Sequence, residues 1–176
     1  MAPPSLPTGR GKLSRSMWFR KIQATLLILF VPLLGLYLYS ESSGVPIRDM
    51  FFPQYTIVHI GDMPIKVSVA NTPELREKGL SGTKKLADDE GMLFIFDESD
   101  YHGIWMKDMN FPIDIVWIGD DKKVIGITEG AQPNSYPHTI FEPPKPARYV
   151  LELNEDFADS FSVTVGDQVT LPLEYR

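Results

Sequence analysis

The chain contains no cysteine. Disulfides, thiolate zinc sites and cysteine nucleophiles are therefore excluded, whichever compartment the protein occupies. It also lacks a glycine-rich phosphate loop, a nucleophile elbow, a helical histidine motif, an internal repeat and a heptad pattern. Histidine is scarce, with three residues far apart at 59, 102 and 138. His102 and His138 would make an oxygen and imidazole site with Asp108 only if folding gathered them, and no close ligand spacing supports this, so neither a metal nor a cofactor is expected. Basic charge is short where a nucleic acid would need it. Of 17 basic and 23 acidic residues, positions 1–44 hold five and one, leaving 12 and 22, a net charge of −10, for the remainder. An acidic domain without a basic stripe argues against nucleic acid as a partner.

What is present begins with a basic leader, residues 1–17, too rich in Pro, Ser and Gly to build a core. From Ile22 to Tyr39 every residue is apolar, aromatic or small except Gln23. At about 1.5 Å per residue, a helix over 18–39 matches a hydrocarbon layer of roughly 30 Å. Trp18 and Phe19 at one end and Tyr37 and Tyr39 at the other fit the interfacial belts of a span. Because the positive charge precedes this segment, a single-pass anchor is expected, with the N-terminus cytoplasmic and the domain outside the cytoplasm. The alternatives are a cleaved signal peptide, giving a secreted domain, and a buried helix. Residues 40–54 read as a linker, and a chain of 176 residues leaves room for one ordinary domain, 55–174.

Within that domain, Thr56–Ile60 and the alternating Ile65, Val67 and Val69 flank Gly61-Asp62 as a hairpin. Asn71 and Thr72 before Pro73, with Gly79 as the stop, mark a short helix. Met92–Phe96 is short and apolar enough for a buried strand. A second hairpin is expected from Ile113–Ile118 and Lys123–Thr128 across Gly119-Asp120-Asp121. Residues 130–146 hold five prolines, too many for a helix or central strand, and such a connection is usually functional or mobile. Tyr149–Leu153 resumes a strand, Asn154 is expected to cap a short helix to about Ser160, and Val163–Leu171 closes the chain.

The chemistry concentrates in Gly103–Ile118, read as the central hairpin, where the carboxylate of Asp114 interrupts an apolar run. A buried charge needs a partner. Arg148 is the cation expected to pair with it, unless backbone donors serve, and Glu152 is expected to pair with Lys107. If Asp114 and Glu152 instead shared a cleft, they would be weak catalytic candidates for a two-carboxylate hydrolase. Trp105 and Tyr136, with Tyr101 and Phe141, offer aromatic faces beside polar groups. Together with Lys107, Asp108, Asn110 and Arg148 they are the candidate contacts for a small-molecule or carbohydrate ligand. Trp117 is expected in the core.

Four blocks resemble one family in order. Gly79-Leu80-Ser81-Gly82 and Gly91-Met92-Leu93-Phe94-Ile95-Phe96 come first, followed by Trp105-Met106-Lys107 with Phe111-Pro112-Ile113-Asp114-Ile115. Pro146-Ala147-Arg148-Tyr149-Val150-Leu151-Glu152-Leu153 and Val165-Gly166-Asp167 complete a likeness to the prokaryotic domain of unknown function 192. Asp108-Met109 stands where many members have Asn-Thr. The resemblance implies a compact, mainly β domain with short helices, often exported or tethered, and supplies no catalytic residue. The expected fold is therefore α+β and mainly β, an antiparallel or mixed, barrel-like sheet with two short helices beside the N-terminal transmembrane helix. The expected role is an envelope binding or accessory module, with a hydrolase or a structural interaction domain as alternatives.

Overall fold

The computed structural model describes residues 32–39 and 54–175 of the chain, which divides into two units, residues 1–47 and 48–176. In the first unit residues 32–39 form a helix, α1. Among the described residues no helix is long and apolar enough to cross a membrane. The expected leader and most of the expected span and linker lie outside the described residues.

The second unit is mainly β. Seven strands, β1 (Gln54–Ile60), β2 (Met63–Ala70), β3 (Glu90–Asp100), β4 (Ile113–Ile118), β5 (Val124–Ala131), β6 (Ala147–Asn154) and β7 (Val169–Thr170), form one mixed sheet. Their order is β5-β4-β6-β3-β2-β1-β7. The sheet curls into a half-barrel whose edges touch at one end, where Val124 N donates to Asp167 O at 3.0 Å and Gly166 N donates to Val124 O at 2.8 Å. Both expected hairpins are present, β1 with β2 and β4 with β5, each antiparallel.

The parallel pairing of β2 with β3 needs a crossover, and α2 (Pro73–Lys78) supplies part of it. Thr72 caps this helix by accepting from Leu75 N at 3.3 Å, and Pro73 occupies its first turn. Gly79 ends it at φ 50° and ψ −138°, a conformation open essentially to glycine alone. Leu75 is the one buried side chain of α2, and its burial contributes roughly 2 kcal/mol.

Two expectations fail here. Gly103–Ile118 is not a hairpin, because Ile104 makes only an isolated bridge to Phe141 while Ile113–Ile118 joins the sheet as β4. Nor does Asn154 cap the second short helix, α3 (Phe157–Ser160), since its Nδ2 donates to Ala87 O at 2.7 Å. The proline-rich segment packs against the domain, with the Pro144 ring over Gly126, where an added Cβ would lie 2.6 Å from it.

Alternation along the strands produces two apolar layers. Val116, Leu151, Leu153 and Leu93 face the hollow of the curl with Phe157 and Ala158 of α3. Ile113, Ile115, Trp117, Val150, Met92 and Phe94 face the other way, beneath Leu75, Leu80, Ile104 and Met106. All six residues of β4 are buried, which accounts for its nearly unbroken apolar sequence.

Candidate functional site

Two carboxyls sit on neighbouring central strands. In the β4–β6 register Asp114 stands opposite Leu153 and Ile115 opposite Glu152. Because successive side chains point to opposite faces, Asp114 enters the hollow of the curl and Glu152 points to the other layer. No single cleft can hold both, so the two-carboxylate arrangement is not formed.

Asp114 is fully buried, and both of its oxygens are bonded. Oδ1 accepts from Gly130 N at 2.9 Å, and Oδ2 accepts from Ala158 N at 2.9 Å. The carboxylate thus joins β4 to the end of β5 and to the first turn of α3, whose own Asp156 makes no side-chain cap. Arg148, the expected partner, lies elsewhere. It shares the face of Val150 and Glu152, donates from Nε to Phe96 O at 3.0 Å and approaches Asp120 at 3.5 Å.

Glu152 has the opposite surroundings. Its side chain is 4% exposed, and Oε2 is buried without a hydrogen-bond partner. Its cross-strand neighbours are Met92 and Ile115. Lys107, expected to pair with it, instead holds its Nζ 5.8 Å from the centre of the Trp105 ring. Burial pushes the Glu152 carboxyl up to about 8, so the group is mostly a neutral acid at pH 7.

Above Glu152 lies a cavity of about 220 Å³, walled by α2 and its Gly79-Leu80-Ser81 exit on one side and by Gly103, Ile104 and Trp105 on the other. Phe94 and Met109 add apolar surface, while Arg76, Glu77 and Lys78 bring two positive charges and one negative to the helix side. The Arg76 guanidinium is already engaged, donating to Ile95 O at 2.8 Å and lying 5.3 Å from the Phe96 ring centre. His102 stacks on Phe96 at a centroid distance of 3.6 Å. Trp105, 42% exposed, meets Tyr136 edge to face at 6.3 Å.

The candidate ligand contacts therefore separate. Trp105 lines the cavity, and Tyr136 and Lys107 pack on it. Asn110 donates to Thr83 O at 2.9 Å, while Lys107 O accepts from Ser81 Oγ at 2.8 Å and Asp108 O from Gly82 N at 2.9 Å. These bonds fasten the 107–110 turn to the segment after α2, and Arg148 lies on the Phe96 carbonyl. Arg76, Lys78, Leu80, Phe94 and Met109 were not named from the sequence as ligand contacts, although Leu80, Phe94 and Met109 stand within the family blocks. Among the described residues, no cluster of three acidic or histidine side chains is placed to hold a metal.

The fold and the site define a small mainly β domain whose half-barrel carries two buried acids, one of them, Glu152, beneath a short helix. The chain belongs to the family DUF192, described as "Uncharacterized ACR", which it matches over residues 56–171. No curated protein matches it. Among solved structures, it is similar to a proposed transcription regulator from Sinorhizobium meliloti 1021, at 31% identity and a TM-score of 0.64, over 68% of this chain and 95% of that one. It is also similar to a protein of unknown function from Novosphingobium aromaticivorans DSM 12444, at 29% identity and a TM-score of 0.64, over 68% and 86% of the two chains.

Proposed function

We propose that this protein is a small-ligand-binding module of the cell envelope, tethered by residues 18–39 and holding its ligand in the cavity over Glu152. The observation that carries the binding half is the carboxyl itself. A buried polar group without a partner costs about 1–3 kcal/mol, and here it stands in a concave, mostly apolar site with an exposed tryptophan at its wall. That is the arrangement of a binding pocket. The tether rests on the apolar run, its aromatic ends and the basic leader. The acidic balance of residues 45–176 favours a small molecule over DNA, so the description of the S. meliloti protein is not carried to this one.

Titration of the full chain in lipid nanodiscs with cell-wall sugars, short peptides and small amides tests the binding half. Ligand-dependent shifts at α2 and Trp105 are expected, and their absence across the panel would sink it. The tether is tested separately. Protease added to intact spheroplasts should release the domain, whereas full protection would place it on the cytoplasmic side.

A further inference from the structure

The identity of the bound group follows from which hydrogen bonds Glu152 has left to make. Every charged side chain near it from the packed elements is committed or peripheral. On α2, Arg76 is held by Ile95 O and Phe96, while Glu77 and Lys78 are exposed. On β3, Glu90 pairs with Lys66 at 2.8 Å. On β6, Arg148 lies against Phe96 O and Asp120. The same face of β4 carries only Ile113, Ile115 and Trp117, and the 101–111 segment contributes His102, stacked on Phe96, Lys107, over Trp105, and Asp108, which is exposed. Among the described residues, none compensates an ionised Glu152.

A neutral carboxylic acid presents one donor and one acceptor side by side in one plane. Its complement is a group with an acceptor and a donor in the same plane, which is the edge of a primary amide or lactam. A cationic head would have to displace the acid's proton, and at the cavity wall Arg76 and Lys78 repel it against the single acid Glu77. An anionic head could meet only the single donor and would face the carbonyl lone pairs. The cavity, about 220 Å³, is small beside ordinary drug-sized pockets of roughly 300–1,000 Å³, which limits the apolar body to about one ring.

Resting on the ligand-binding reading above, we propose that the cavity recognises an uncharged amide, with the Glu152 carboxylic acid donating to the amide oxygen and accepting from the amide nitrogen. The apolar part of the ligand lies against Leu80, Phe94 and Trp105.

Three probes with one ring and different heads test this: benzamide, benzylamine and benzoate. Each is titrated into the full chain in nanodiscs carrying fluorine-labelled tryptophan, so that Trp105 is read apart from Trp18 and Trp117. Benzamide is expected to bind best, with affinity falling about tenfold between pH 7 and 9 as an acid of pKa about 8 ionises. Glu152→Gln, which keeps a donor and an acceptor, should retain binding without that pH dependence, and Glu152→Leu should abolish it. Benzylamine binding best with affinity that rises with pH, benzoate binding best, or benzamide binding unchanged in Glu152→Leu would each overturn the amide assignment. Either of the first two, if lost in Glu152→Leu, leaves the ligand-binding reading standing. Binding by none of the three also overturns the amide assignment, and the broader reading falls only if the wider panel fails as well.

Discussion

Asp114 and Glu152 lie one register step apart on adjacent strands, both buried and both carboxyls, yet they differ in almost every physical respect. Asp114 has a backbone donor on each oxygen, whereas Glu152 has an orphaned oxygen and apolar neighbours. Burial therefore does not tell the two acids apart; the count of partners does. Asp114 holds three segments together, whereas among the described residues no hydrogen-bond partner meets the buried Glu152 oxygen.

Asp114→Ala should give the largest effect, because it strands Gly130 N and Ala158 N without an acceptor, at about 1–3 kcal/mol each. A loss of roughly 4 kcal/mol in urea unfolding is expected, and a loss below 1 kcal/mol would erase the contrast. Glu152→Gln should move stability the other way. The folded-state pKa of Glu152, about 8, lies above its ordinary value of 4.5, so the folded state binds more protons between those values. Wild-type stability should then fall as pH rises from about 4.5 to 8 and level off above. The Gln variant should match wild type near pH 4 and exceed it by a few kcal/mol at pH 8.5. Equal unfolding curves at both pH values would mean that the acid is already partnered.

Gly91→Ala probes the β3–β6 seam, on the face that Leu153 shares with Asp114. An added Cβ would sit 2.6 Å from Glu152 O and 2.8 Å from a Leu153 methyl, a backbone clash costing about 1–3 kcal/mol. Exchange protection should fall in β6 at Glu152 and Leu153, more than at the β4–β5 seam farther from the clash. The smallest effect belongs to Lys66→Ala. Its ion pair with Glu90 is at the surface, and exposed pairs add little, so the melting temperature should not move measurably.

What the sequence disclosed and what it hid follow from range. Thr72, Pro73 and Gly79 mark α2 because capping and left-handed geometry are local, and Gly61-Asp62 and Gly119-Asp120 mark hairpins for the same reason. The partners of Asp114 lie 16 and 44 positions away and are backbone amides, which no side-chain pattern announces. Arg148 is a reasonable partner by charge. It is excluded only by strand parity, since the β4–β6 register puts it on the far face, and register is set by pairing that the sequence does not display. Trp105, singled out by its aromatic side chain, stands in the cavity wall. The polar turn beside it instead consists largely of anchors, with Asn110 spent on Thr83 O.

The brevity of α2 has a kinetic consequence. Six residues cannot sustain a helix in water on their own, and this one is held by one buried leucine, a capping threonine and the grip of Arg76 on β3. Its opening free energy should therefore lie well below that of the strands beneath it. Exchange of its amides should then report how often solvent reaches Glu152, through a local fluctuation far faster than unfolding of the sheet.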